Sequence, residues 1–483
     1  MTPAVLIGID IGTTFLKTAA FDADSGECIA SAGDRLNVRT DGGGVREQNS
    51  AKLLESLFHG LDRLRQALGE RWREIAGIGV AAQGGSGMLV NRNTGEACTP
   101  MLLWNDLRGA EYRDEIIRQA PTGYWKGLSL WEGPAPGLGR IRWFENHCPE
   151  RFTPDTLYCG AGEYVFFHLT GEWRQDAGNA LQIGCYDVRS RDLAERPLQL
   201  IGRSLDFVAP LRKGHEIHGL LKQAEERLRL PSGVQVAGPY MDHEAGFLST
   251  YGHSERPFQV SLGTAWVGNY LSQAAQALPG AVPLALPSPV GDCFQMTQAA
   301  RVGSLTWEWA LGCLLDPDLG KAVSRAEALF AERLLPAEGL ACLPRFTRPN
   351  PLAPQTVGAG GFFGLGPGTT RDEMARAVAA GLVFEFGRIF RPLAASGEVD
   401  AVYLSGGASG GEYFRRLFAA LFDGLPVYRV TEEAPGARAV LYPFNPDVAH
   451  ARVERVGSVP DDIRQDFEKG LSLYVKIAER LYD

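Results

Sequence analysis

A chain of 483 residues that is 45% hydrophobic and 22% charged has the composition of an ordinary globular protein, with a soft prior of about three domains. Its formal charge of −9, without a basic block, argues against nucleic acid and anionic membrane as partners. The eight cysteines contain no C-x-x-C pair, which argues against a zinc site or a disulfide framework and fits reduced thiols in a cytoplasmic protein. The first residues lack the layout of a secretory signal, and no apolar run has the length of a membrane span.

The chain opens on Val5-Leu6-Ile7-Gly8-Ile9-Asp10-Ile11, an apolar run of strand length, then the turn Gly12-Thr13-Thr14 and a second strand from Phe15 to Asp22. An Asp in such a run needs a partner, because an ionised carboxylate is costly to bury. A turn with free N–H groups, two hydroxyls, Asp10 and Lys17 can hold a phosphate and its magnesium ion. An ordinary hairpin with a satisfied Asp accounts for the stretch equally well by itself. Cys28 to Arg35 predicts a third strand. Residues 49–68 predict an amphipathic helix with Leu54, Leu57, Phe58, Leu61, Leu64 and Leu68 on one face, and Ile75 to Ala82 a further strand. Strands followed by helix and strand are the order of an α/β layer.

Next come Gln83-Gly84-Gly85-Ser86-Gly87 and Trp104-Asn105-Asp106. Small residues after a strand let a ligand touch backbone, and a Trp face beside an amide and a carboxylate suits a polyhydroxylated ligand. A plain loop with a buried Trp is the competing account. Residues 121–139 read as irregular, Ile141 to His147 and Cys159 to Leu169 as helices, Asp176 to Ala180 as a polar turn, and 217–228 as a helix. Val234 to Gly246 runs from strand through Asp242-His243 into a helix. A carboxylate at a strand's end can serve as a general base, or merely cap the helix.

The second half contains a copy of the opening. Phe258-Gln259-Val260-Ser261-Leu262-Gly263-Thr264 is again an apolar strand with a Gly-Thr turn, followed by a second strand from Ala265 to Ser272. Gly12 and Gly263 stand about half the chain apart, which predicts two similarly built domains, 1–252 and 253–483, presenting phosphate-gripping turns to a shared cleft. Proline-rich 279–289 and 347–354 are expected as loops, Ser304 to Leu314 as a helix, and 358–366 as a glycine-dense loop before a helix capped by Thr370 and Glu373. A strand at Ala401 to Leu404 precedes Ser405-Gly406-Gly407-Ala408-Ser409-Gly410-Gly411, a glycine-rich entry to a helix that can seat a nucleotide. A strand at 426–430 and an amphipathic helix at 460–481 complete the chain.

The ordered set of motifs resembles the FGGY carbohydrate kinases, such as xylulokinase, gluconokinase and glycerol kinase, over nearly the whole chain. The resemblance implies an α/β architecture of two duplicated actin-like (ribonuclease-H-like) domains around a cleft, with sugar mainly on the first and ATP mainly on the second. It implies Asp242 as catalytic base and Asp10 as the residue holding magnesium. ATP would be bound by Thr13, Thr14, Lys17, Gly263, Thr264, Gly303, Gly406, Gly407, Ala408 and Gly411. The sugar, a ketose or polyol, would be bound by Gln83, Gly84, Gly85, Trp104, Asn105, Asp106, Asp242 and His243. A homodimer in the cytoplasm completes the expectation. The chain departs from the family where xylulokinases carry Met-His and glycerol kinases Arg-Glu and it has Gly84-Gly85, which predicts a roomier pocket. It also has His243-Glu244 after the base in place of Asn-Ala, and Gly411 where glycerol kinases place an Asn.

Two rival readings remain at this level. An actin- or chaperone-like ATPase, or an inactive homologue, shares the phosphate turns. A serine hydrolase would use Gly407-Ala408-Ser409-Gly410-Gly411 as a G-x-S-x-G elbow with His450 and Asp447 downstream.

Overall fold

The computed structural model describes residues 4–41, 44–300, 302–346 and 360–482. The expected loop at 347–354 and the first part of the glycine-dense loop at 358–366 lie outside the described residues.

Strand β1 (Val5–Ile11) pairs antiparallel with β2 (Phe15–Asp22), so that Asp10 stands opposite Lys17. β3 (Cys28–Arg35) continues the meander on the far side of β2. Helix α1 (Ser50–Leu68) starts where the Asn49 side chain accepts a hydrogen bond from Lys52 N–H, and buries Leu53, Leu57, Leu61 and Leu64. β4 (Ile75–Ala82) then lies parallel to β1, and β5 (Gln235–Met241) parallel to β4. Between β4 and β5 the chain makes a long excursion that includes α2 (Pro136–His147), α3 (Ala161–Thr170) and α4 (Ala177–Ile183). β5 runs directly into α5 (Asp242–Leu248).

The second sheet repeats the plan. β6 (Pro257–Leu262) and β7 (Trp266–Ser272) form the second hairpin; β8 (Val282–Pro287) and β9 (Phe294–Ala299) follow. Beyond α6 (Ser304–Ala310) and the long buried α7 (Arg371–Ala395) come β10 (Ala401–Ser405), α8 (Glu412–Leu421), β11 (Val427–Val430), α9 (Pro435–Ala439), β12 (Val453–Arg455) and α10 (Asp461–Tyr482). The strand orders are β5-β4-β1-β2-β3, with a short edge strand beyond β5, and β8-β9-β7-β6-β10-β11-β12. In each sheet an antiparallel meander is extended by two parallel strands, β4 and β5 on β1 and β10 and β11 on β6.

The halves exchange helices. α9, which follows the last parallel strand of the second sheet, lies on β1 of the first; α5, which follows the last parallel strand of the first sheet, packs against β6 and β7 of the second. Leu6, Ala19, Phe21, Ala437, Leu441 and Val448 form one small apolar core at this junction. Contact there is backbone to backbone: a Cβ on Gly8 would fall 1.6 Å from the Ala437 carbonyl oxygen, and one on Gly79 2.3 Å from that of Val440.

Several expectations need correction. Residues 282–287 form strand β8 although they contain Pro283 and Pro287, because β8 is an edge strand and an edge tolerates missing donors. The stretch 121–139 is not wholly irregular: Tyr124–Ser129 is a helix and α2 begins at Pro136. Helix 217–228 is shortened to Lys222–Leu228, since His218–Gly219 pairs with β5. The Thr370–Glu373 capping box is half made. Thr370 Oγ1 accepts from Glu373 N–H, while the Glu373 carboxylate turns to Arg376 and the Ala337 N–H. Among the described residues no helix is long and apolar enough to cross a membrane.

Candidate active site

Asp242 is the first residue of α5, delivered by β5 to the junction of the two halves. Its Oδ1 accepts a hydrogen bond from the N–H of His243 at 2.9 Å, which orients the carboxylate. Asp10 sits near the end of β1. Burial, together with the charge of Asp242, pushes its pKa up to about 6, against the pull of Lys17. Each carboxylate therefore lies in the field of the other. Asp10 also abuts the second half, since a Cβ on Gly436 would fall 2.5 Å from its Oδ2.

Thr13 and Thr14 lie on the turn between β1 and β2. Thr13 Oγ1 donates to Gln83 Oε1 at 3.0 Å, Ser86 Oγ donates to the same oxygen, and Gln83 Nε2 donates to Gln48 Oε1. Buried Gln83 thus ties the phosphate turn to the loop after β4. Lys17 Nζ donates to the Glu433 carbonyl at 2.8 Å, bridging the halves, and keeps two further donors. Thr264 is exposed on the matching turn of the second sheet. Gly303 braces that turn, since a Cβ there would lie 1.9 Å from the Thr264 carbonyl oxygen. Gly406, at φ +85°, presses against Leu262 and the Gly263 nitrogen. Beside it Gly407 and Gly410 face open space, which leaves room for a flat ring, and Ala408 is half-buried between them. A Cβ on Gly411 would approach the Tyr413 ring to 2.9 Å.

The loops expected to take the sugar are held by residues the sequence reading missed. Arg140 of α2 is buried; it donates through Nη1 to the Gly85 carbonyl and through Nη2 to the Trp104 carbonyl at 2.6 Å. One guanidinium therefore clamps the Gln83–Gly87 loop to Trp104-Asn105-Asp106. Asn179 Oδ1 accepts from the Gly85 N–H at 3.1 Å, and Asn179 Nδ2 donates to Glu163 Oε1 at 2.6 Å. Asp176 caps the helix that carries Asn179. Its place in the chain, three residues before Asn179, is the spacing of a helix N-cap, which was the available signal for reading 176–180 as a helix start and not merely a turn.

Asp106 is spent on the fold. Its carboxylate, expected to bind the sugar, accepts from the backbone N–H groups of Arg46 and Arg108 and pairs with the Arg108 guanidinium at 2.8 Å. Asn105 by contrast keeps a buried Oδ1 without a partner among the described residues, as a ligand-facing amide would. The roomier pocket expected from Gly84-Gly85 is also corrected. A Cβ on Gly84 would meet Gln182 Nε2 at 2.5 Å and one on Gly85 would meet Gln182 Oε1 at 2.2 Å, so the side chain of Gln182 fills that space.

Carboxyl groups gather near Asp242, and burial holds them toward the neutral form. Burial raises Asp176 to about 6 and Glu244 to about 8; the Asp242 charge adds to the first and the Asp176 charge to the second. Glu163 rises to about 8 through burial and the Asp176 charge.

The hydrolase arrangement is not assembled. Ser409 Oγ donates to the Gly406 carbonyl at 2.7 Å, and His450 packs against His253, away from Ser409.

Comparison with known proteins agrees with this geometry. The N-terminal domain model of the FGGY family of carbohydrate kinases matches residues 5–249, and its C-terminal domain model matches residues 260–438. The chain is 25% identical to the xylulose kinase of Escherichia coli K12 over 419 residues, covering 86% of this chain and 84% of that protein. It is 22% identical to the gluconokinase of Bacillus subtilis over 447 residues, covering 86% and 83%. The crystal structure of xylulose kinase from Rhodospirillum rubrum superposes with a TM-score of 0.84 at 22% identity, over 99% of this chain and 100% of that one. The fold is the two-domain actin-like α/β architecture expected from the sequence. The chain belongs to the FGGY family of carbohydrate kinases, phosphotransferases that act on an alcohol group.

Proposed function

We propose that the protein transfers the γ-phosphate of ATP to a hydroxyl of a neutral sugar, a ketose or a polyol, in the cleft between 1–252 and 253–483. The observation that carries this reading is the delivery of two carboxylates to the junction of the halves: Asp10, near the end of β1, abuts Gly436 of the second half, and Asp242 opens α5, which packs on β6 and β7. Asp242 takes the proton of the attacking hydroxyl, and its orientation by the His243 N–H aims it. Thr13, Thr14 and Thr264 donate to the phosphates, and the open space at Gly407 and Gly410 admits the adenine ring. Asp10 would hold magnesium, which would supply charge neutralisation for the transferring phosphoryl group. The Gln83 link from Thr13 to the sugar loop fixes the two reactants relative to each other, the main demand of phosphoryl transfer.

Electrostatics favour a neutral sugar over a sugar acid. Asp10, Asp176 and Asp242 stand near one another, and the guanidinium groups beside the sugar loops are engaged: Arg140 with two carbonyls, Arg108 with Asp106 and Glu47. A substrate carboxylate would meet repulsion without a matching guanidinium. The eight cysteines are free thiols, which fits work in the cytoplasm.

The test is ADP release with Mg-ATP across ketoses, aldoses, polyols and aldonates, for wild type and Asp242→Asn. We expect one neutral sugar to stimulate wild type, and the variant to lose about 10³-fold while still binding ATP. ATP turnover indifferent to every sugar would instead place the protein with the actin-like ATPases.

A further inference from the structure

We propose that Gln182 selects the sugar: its side-chain amide, lying over Gly84-Gly85, bonds a substrate hydroxyl or carbonyl and sets which sugar is accepted. The proposal rests on the kinase reading above. It starts from an unusual exchange of bulk. The loop after β4 presents two glycines where side chains would otherwise point into the cleft, and the volume is taken by a residue from α4, far along the chain. Gly85 is doubly constrained. Its φ of +73° disfavours any side chain, and a Cβ would fall 2.7 Å from Gln182 Cδ as well as 2.2 Å from Oε1.

Gln182 is only 5% exposed, yet its Nε2 donates to the Met241 sulfur at a distance of 4.0 Å. A thioether is a weak acceptor, so this donor gains little inside the protein. Leaving a buried amide underbonded carries a desolvation cost that a leucine of similar size would avoid. A polar group kept under those terms is explained by a ligand that completes it. Position supplies the ligand. Met241 immediately precedes Asp242, and Gly85 is anchored by Arg140 and Asn179 within the sugar loop. The amide therefore stands between the base and that loop. α4 packs backbone to backbone on α2: a Cβ on Gly137 would lie 2.4 Å from Ile183 Cα and 2.9 Å from the Gln182 carbonyl oxygen. An amide offers one donor side and one acceptor side without charge, which suits a hydroxyl or a hydroxyl–carbonyl pair.

Gln182→Leu keeps the volume and removes both hydrogen-bonding functions; Gln182→Glu keeps the shape and replaces the donor with an acceptor. Each variant and wild type are assayed with the preferred sugar and with its series of single deoxy analogues. We expect kcat/KM for the preferred sugar to fall by 10- to 100-fold in Gln182→Leu, chiefly through the sugar KM, with the KM for ATP unchanged. One deoxy analogue should be rejected by wild type and used by Gln182→Leu as well as the parent sugar, because the bond is already gone. If Gln182→Leu keeps the wild-type ranking of all analogues, the inference is overturned. It is equally overturned if both variants lose sugar and ATP parameters together along with melting temperature, which marks a structural residue. A wild type that phosphorylates no sugar is a different result, and brings down the kinase reading itself.

Discussion

The hairpin β1–β2 and the hairpin β6–β7 hold the same place in their sheets but carry opposite chemistry. Asp10 faces Lys17 in the first; the matching positions of the second are Ser261 and Val267. The faces that receive the exchanged helices differ as well. On the first sheet Gly8 pairs with Ala19, and α9 lies so close that no side chain fits. On the second, Gln259 pairs with Asn269, and a buried polar ladder crosses the sheet. Gln259 Nε2 donates to Ser405 Oγ at 2.6 Å, Asn269 Nδ2 to Gln259 Oε1, Thr297 Oγ1 to Asn269 Oδ1 at 2.7 Å, and Gln295 Nε2 to both Thr297 Oγ1 and the His243 carbonyl at 3.1 Å. A duplicated backbone has thus been divided into a charged half, clamped backbone to backbone, and a neutral half, joined through side-chain hydrogen bonds that reach from the strand before Gly406 to the residue after Asp242. The same fold tolerates both because sheet geometry is set by backbone pairing, while the face residues answer only to what packs on them.

This contrast can be broken from either side. Asp10→Asn is expected to lower kcat by about 10²-fold and to weaken the dependence on magnesium concentration, by loss of a charge at the phosphoryl group. Ser261→Ala, at the matching position, is expected to change kcat by less than about threefold, since it removes no charge. ADP-release kinetics over a magnesium titration compares the two.

The helix contacts give the next effect. Gly8→Ala forces a methyl group into the Ala437 carbonyl and should cost about 3 kcal/mol or more of stability. Gly246→Ala on α5 puts its Cβ 3.7 Å from Gln259 Oε1, an ordinary contact, and should gain up to about 1 kcal/mol from helix propensity. Thermal melting of the two variants beside wild type reads both signs.

Glu244 sharpens the charge argument. Burial and the Asp176 charge raise it from 4.5 to about 8, so the folded state binds a proton that the unfolded state has already released. Its favourable contribution is complete below pH 4.5 and is lost as pH rises through 8. Glu244→Gln is therefore expected to match wild type in stability near pH 4 and to exceed it by about 5 kcal/mol at pH 9, measured by urea unfolding across that range. A difference that grows toward low pH would refute the assignment.

The smallest effect is expected from the ladder. Gln295→Leu removes the bond to the His243 carbonyl and should raise the sugar KM by about threefold, with kcat for the saturated enzyme nearly unchanged.

The order of apolar strands, the two Gly-Thr turns, and helices at 50–68 and 461–482 were legible because each is a local pattern of periodicity and turn chemistry. So was Asp242, since a carboxylate where a strand gives way to a helix is visible in a dozen residues. β8 was not legible, because prolines at 283 and 287 read as a loop until the strand is known to lie at an edge. Nor were the tasks of Arg140, Asn179 and Gln182. Each is an unremarked residue on a helix, and each acts on a loop between about forty and one hundred positions away in the chain.

The sequence by itself determined the duplicated α/β plan, the family and the place of Asp242 where a strand gives way to a helix, because these depend on short contiguous patterns. Only the tertiary structure decided that Asp106 is spent on Arg108, that Asn105 is left open, and that the space before Gly84-Gly85 is filled from α4. Those outcomes depend on which side chains packing brings together across the excursion between β4 and β5, and no local spacing encodes them.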